Sequence, residues 1–244
     1  MDDLVPVITP TEDVAATDVE NALRRHVVRV YSLMLAGLML TAAVAYCISR
    51  DPEISKYVME RPEGLQVLFA FEVIVVAVVS KAVEKMTLTM IVITFFCYSA
   101  LNGVTFAVFF LFVPPAAVAF GFGVTALTFG AMALYGHQTQ RNLCSLKSFL
   151  LMIVVGVALL AAVNIVLRNP QAYWATSYLG VMIFAGLTAH HAQNLRDLKY
   201  EFEDDDQHRR KAMFAGALLL YLDFVNLYMY LMRLVAVARS GRTR

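Results

Sequence analysis

The sequence predicts an all-α, polytopic membrane protein, a bundle of seven transmembrane helices in one domain. Three observations carry that reading. Of 244 residues, 59% are apolar and 16% charged, against a charged share of about a quarter in soluble domains. Mean hydropathy is +0.64. The apolar residues gather into runs at 27–48, 65–83, 88–112, 115–136, 148–167, 173–194 and 212–232, each near the roughly 20 residues that cross a hydrocarbon core about 30 Å thick.

Runs of this length satisfy their backbone polar groups in lipid only as helices, because barrel strands would be about 10 residues of alternating polarity. The start, MDDLVPVITPTEDVAATDVENAL, is acidic and lacks the order of a cleaved signal peptide. The first run is therefore expected to persist as a helix behind a cytoplasmic tail, residues 1–26. The second run holds one charge, Glu72. The third and fourth are joined by Val113, Pro114 and Pro115, a link that cannot continue a helix and predicts a tight hairpin. The sixth ends in His190 and His191, and the seventh contains Asp223. The transmembrane domain spans 27–237, and 238–244 is a short C-terminal tail.

Orientation follows from the basic residues. With the N-terminus inside, Arg24, Arg25, Arg29, Lys81, Lys85, Arg141, Lys147, Arg196, Lys199, Arg209, Arg210 and Lys211 are cytoplasmic, twelve of twenty. Arg50, Lys56, Arg61 and Arg168 face outward, as does the C-terminal group Arg233, Arg239, Arg242 and Arg244. That group departs from the rule; seven full spans place it outside.

Several function classes are excluded. A net charge of +1 with scattered cations offers no nucleic-acid surface. Cys47, Cys97 and Cys144 have neither disulfide nor zinc spacing. No zinc-protease, nucleophile-elbow or phosphate-loop motif is present, and residues 212–237 lack the lysine a retinal protein would need. The chain is read as a non-enzyme without a cofactor. Phe95, Phe96, Tyr98, Phe106, Phe109 and Phe110 read as lipid-facing or packing groups.

Ionisable groups inside apolar runs cost about 2.5–3.5 kcal/mol each at a helix centre, so they mark function. Gly216, Asp223, Asn226, Tyr230 and Arg233 fall on one face of the last run, and that face must look into the bundle. Glu72 needs a partner or a proton. His190 reads as interfacial, and adjacent histidines point about 100° apart, which argues against a shared metal; the metal, if any, stays unassigned. The acidic run Glu201, Glu203, Asp204, Asp205 and Asp206 could attract calcium but lacks EF-hand spacing and reads as a solvated loop.

The blocks YSALNGVTF (98–106), MALYGHQTQRNL (132–143), FAGLTAHHAQNL (184–195) and ALLLYLDFVNLYMYLMRL (217–234) resemble the Bax inhibitor family, in particular its bacterial members, over about residues 20–236. The resemblance implies a seven-helix bundle with the last helix central, a place in the bacterial inner membrane, and a pH-sensitive calcium leak. Asp223 matches the family's aspartate in the last helix, and Glu72 the acidic residue of the second. The sixth helix departs: where the family has Ala-Tyr-Asp-Thr-Gln, this chain has Ala189, His190, His191, Ala192 and Gln193. His191 thus replaces the aspartate that shares a proton with its partner in the family. Asn142 stands where bacterial members usually carry Asp. Both changes remove negative charge.

The expected ion path therefore comprises Asp223 as gate carboxylate, His191 as its partner and Glu72 as a pore acid, with Asn226, Tyr230 and Arg233 in support. Lipid and calcium are the expected partners. The alternatives are a non-conducting protein that modulates a membrane protease or stress response through a membrane protein partner, and a proton-coupled transporter, whose inverted repeats are not evident. Depth sets one condition: Asp223 lies eleven residues into the last run, about 16 Å along a helix. It meets His191 only if the last helix starts below the membrane surface or the sixth extends beyond it.

Overall fold

The computed structural model describes residues 12–53, 56, 60, 71, 72, 74, 75, 78, 79, 82, 85–167, 169–197 and 206–240. These are almost wholly helical, and no strand occurs among them. The continuous helices are α1 (Glu12–Arg50), α2 (Leu88–Phe112), α3 (Pro115–Gln138), α4 (Cys144–Leu167), α5 (Pro170–Asp197) and α6 (Asp206–Ser240). Much of the second apolar run lies outside the described residues; those described between 71 and 82 are helical. Most of the acidic stretch, 201–205, is also outside them, as are residues 1–11 and 241–244.

Among the described residues, five helical segments are long and apolar enough to cross a membrane: Asn21–Arg50, Leu88–Ala107, Pro115–Gln138, Pro170–Arg196 and Arg209–Val235. The apolar part of α4, Ser148–Asn164, is shorter. α1 starts at Glu12, well before the first apolar run, because DVENALRRH holds good helix formers and no breaker. Much of the sequence assigned to the tail is thus continuous with the first span.

Proline and asparagine set the turns. Pro114 caps α3 in an extended conformation (φ −56°, ψ 139°) with Pro115 as its first residue, where a missing N–H costs nothing. Asn169 caps α5: its Oδ1 accepts from the N–H groups of Gln171 at 2.9 Å and Ala172 at 3.4 Å.

α6 is the axis of the bundle. From Ala217 to Tyr230 every residue but Leu219 is buried, and α1, α2, α3 and α5 all pack on it. This agrees with the central last helix expected from the sequence. The outer faces of α1, α3 and α4 instead expose Met39, Leu127 and Val166, the surface a helix presents to lipid.

The expected hairpin of α2 and α3 needs correction. The turn is tight, yet the two helices barely touch, because α6 is wedged between them. Tyr228 stacks on Phe106 of α2 at 4.9 Å and meets the edge of Phe122 of α3 at 6.4 Å. α2 packs chiefly on α1 and α3 chiefly on α5. Both contacts use glycine for close approach. A Cβ on Gly103 would lie 2.9 Å from the Thr41 carbonyl oxygen, and one on Gly136 would run into that of Ala189.

Candidate functional site

The sequence HHAQN places two histidines, a glutamine and an asparagine on consecutive positions of α5, so they leave the helix in several directions. His191 points at α6. Its Nδ1 lies 2.6 Å from Asp223 Oδ2, and both residues are buried, at 6% and 2% exposure. Such a contact is a charge-assisted bond when the imidazole is protonated. Removing either partner would strand the other in a medium of low dielectric. The depth condition is met on both sides: α5 runs on to Asp197 and α6 begins at Asp206.

His190 departs from the expected interfacial role. It is 1% exposed, and its Nε2 accepts from Asn194 Nδ2 at 3.1 Å, one turn along the same helix. α5 is covered on more than one side, so a position that looks like a helix end in the sequence is interior.

Glu72 sits in a second polar cluster, against α2. Thr105 Oγ1 donates to Glu72 Oε1 at 2.6 Å, and the Tyr98 hydroxyl donates to the Glu72 backbone oxygen at 3.3 Å. The side chains of Asn102 and Asn226 are polar neighbours of the same hydroxyl. Beside it, the Tyr221 hydroxyl lies 2.7 Å from Thr41 Oγ1, which is also within 3.0 Å of Gly37 O and 2.9 Å of Ser99 O. Since Thr41 has one proton for a carbonyl, Tyr221 is the donor between the two hydroxyls.

Of the stripe predicted on α6, Asp223, Asn226 and Tyr230 are buried and Gly216 and Arg233 partly so, and the stripe divides. Asp223 serves His191. Asn226 Nδ2 donates to its own helix, at Leu222 O, 2.8 Å away, and its side chain adjoins Tyr98. Tyr230 and Arg233 belong elsewhere, since Tyr230 stacks on Phe184 of α5 at 5.8 Å. The Arg233 guanidinium lies over the rings of Tyr173 and Tyr230 at 5.5 and 5.4 Å, a cation–π arrangement.

A third group ties α5 to the turn after α3. Gln193 Nε2 donates to Arg141 O at 2.7 Å, while its Oε1 accepts from the Leu143 N–H at 2.9 Å. Arg196 Nη1 donates to the carbonyls of His137 at 2.9 Å and Thr139 at 2.7 Å, supplying charge where a helix C-terminus leaves carbonyls unmatched. Asn142, in that turn, is exposed. Among the described residues, no three His, Cys, Asp or Glu side chains converge on a metal-sized point.

Sequence reasoning missed Thr41, Ser99, Asn102, Thr105 and the hydroxyl of Tyr98. The aromatic reading holds for Phe96 and Phe110, which are exposed, and for Phe95, which is core. It misplaces Tyr98. The available signal was spacing: Tyr98, Asn102 and Thr105 recur at one helical face, although each alone is an ordinary residue in a membrane helix.

The family model described as "Inhibitor of apoptosis-promoting Bax1" matches residues 23–240. The chain belongs to the Bax inhibitor family. It is 35% identical over 213 residues to the inner membrane protein YbhL of Escherichia coli, covering 87% of this chain and 91% of that one. It is 34% identical to an uncharacterized protein of Deinococcus radiodurans (87% and 90% covered) and 32% to one of Borreliella burgdorferi (87% and 91%). The chain is accordingly an integral inner-membrane protein, a bacterial type of Bax inhibitor family member. In this family setting, His191 and Asp223 are the pair that the sequence resemblance singled out, and they are in contact.

Proposed function

We propose that this Bax inhibitor family protein is a pH-sensitive cation leak pathway of the inner membrane, with calcium the ion implied by the family resemblance. The observation that supports it most is the buried 2.6 Å contact between His191 and Asp223, where the family pairs two carboxylates. The pair joins α5 to α6 by a bond whose strength depends on protonation. Glu72, buried against Thr105 of α2, is the second acid of the path. The protein works by ion passage, without bond-making chemistry or a cofactor.

Calcium uptake into proteoliposomes containing the purified chain tests this reading. Glu72→Gln keeps the volume of the side chain but not its charge, so flux should fall severalfold while yield and helicity stay near wild type. Unaltered flux would mean that Glu72 is a protonated core residue and not part of a path.

The proposed topology has seven spans, with the N-terminus inside and the C-terminus outside. A reporter fused after Arg244 should then be extracytoplasmic, and one inserted in the 201–211 loop cytoplasmic. A cytoplasmic signal from the first would sink the seven-span layout.

A second reading is a non-conducting protein that modulates a membrane protease or stress response through a membrane partner. It is favoured by the way Tyr230 and Arg233 are used in packing between α5 and α6. A chain that folds and inserts but conducts no cation would support it.

A further inference from the structure

Two arginines near the start of the first apolar run stack where helix chemistry disfavours them. Arg25 and Arg29 stand one turn apart on the same face of α1, and both are exposed. Like charges at this spacing repel. Three and four positions to either side, Arg25 has Asn21, Ala22, Val28 and Arg29, and Arg29 has Arg25, His26, Ser32 and Leu33. No carboxylate stands at any of these positions, whereas Arg24 has Glu20 one turn back. Beyond Arg29 the same face continues with Ser32, Leu35, Ala36 and Met39, all exposed, so positive charge passes directly into the apolar surface that α1 turns to lipid.

A third cation comes from α6. The two helices meet closely just above this level, since a Cβ on Gly216 would lie 3.5 Å from Val30 Cγ1. One turn before Val30, His26 is buried and feels the charges of Arg29 on its own helix and of Arg209 on α6. Arg209 is exposed and precedes Gly216 by two turns. The buried imidazole marks the seam between α1 and α6, with exposed arginines of both helices around it.

We propose that this seam is the binding site for one anionic phospholipid of the adjoining leaflet, its phosphate on Arg25 and Arg29 with Arg209 at the flank, and its acyl chain along Leu35, Ala36 and Met39. Cation followed by hydrocarbon is the lengthwise order that such a lipid requires, and basic positions between membrane helices suit anionic head groups. Guanidinium forks pair with phosphate oxygens. A zwitterionic lipid brings its own ammonium to the same place, and free phosphate lacks the chain. Depth agrees: Met39 is ten residues beyond Arg29, about 15 Å along a helix, or one leaflet of a hydrocarbon core about 30 Å thick. The site shares no residue with the His191–Asp223 pair or the Glu72 cluster, so it stands apart from the ion path.

The test is thermal unfolding of the full-length protein in neutral detergent, with phosphatidylglycerol, phosphatidylcholine or inorganic phosphate added. A ligand that binds only the folded state raises the melting temperature with its concentration. Phosphatidylglycerol should stabilise the wild type well beyond the other two. Arg29→Gln should raise the half-effect concentration of phosphatidylglycerol by roughly tenfold, the loss of one charge-assisted contact, and Arg25→Gln with Arg29→Gln should abolish the response. Arg24→Gln removes the same charge from an adjacent exposed position and should respond like the wild type. Native mass spectrometry reads the complex directly: one phosphatidylglycerol retained on the wild type and on Arg24→Gln, none on the double variant.

Equal stabilisation by phosphatidylcholine would overturn the site. Equal losses in Arg24→Gln and Arg29→Gln would do so too, by showing a general attraction of the basic end for anionic lipid. A response to inorganic phosphate as large as that to the lipid would refute it by showing an anion site with no use for the chain.

Discussion

Valine in place of Gly136 is expected to cost the protein more than about 3 kcal/mol, at or above the upper end for overpacking a core. A Cβ at this position would run into the Ala189 carbonyl oxygen and come within 2.8 Å of its Cα. These are backbone atoms in the middle of α5, and no rotamer change can clear them. Relief requires α3 and α5 to separate, which strains the bonds from Gln193 and Arg196 to the turn after α3. It also displaces His191, two residues beyond Ala189. Gly123 provides a control on the same helix, since a Cβ there meets nothing within 4 Å. Reversible unfolding of the two variants in mixed micelles should place Gly123→Val near wild type and Gly136→Val far below it. Equal stabilities would contradict the close approach.

The fold was legible in the sequence to the extent that lipid imposes it. Long apolar runs with few charges must be helices, and six of the seven runs coincide with helices of continuous bounds. The burial of α6 was legible too, because a helix with Asp223, Asn226 and Tyr230 on one face cannot turn that face to hydrocarbon. What the sequence could not show was which helix lies between which. The prolines at 114 and 115 announce a turn, and only the packing of Tyr228 against Phe106 and Phe122 shows that α6 separates the two arms.

The site was legible where charge was involved. Asp223, His191 and Glu72 each pay a penalty in hydrocarbon that hydropathy makes visible, and the structure brings the first two into contact. The neutral groups were invisible for the same reason: hydroxyls and amides such as Thr41, Ser99, Asn102 and Thr105 cost little, because each can bond to its own helix one turn back. Thr41, Ser99 and Asn102 do so. Gln193 and Arg196 were likewise missed, since their partners are backbone carbonyls and an N–H of a distant turn, which carry no sequence signature.

The account turns on the protonation of the bond between α5 and α6. An imidazolium attracts the Asp223 carboxylate, so mild acid tightens the link and alkali loosens it, the opposite of two carboxylates, which repel when both are ionised. With a tightened link closing the path, cation flux through the wild type should fall as the medium is acidified. A charge-assisted bond worth about 1.5–3 kcal/mol changes the open-to-closed ratio by about tenfold or more. Asp223→Asn removes the charge that the imidazolium attracts and should flatten the profile. His191→Asp restores the family's two carboxylates and should move the profile and raise calcium sensitivity, since two carboxylates accept a hard cation. The decisive measurement is flux against pH in proteoliposomes for these three proteins. Divergent profiles, with wild-type flux falling on acidification, are the predicted result; three superimposable profiles would contradict gating by His191 and Asp223.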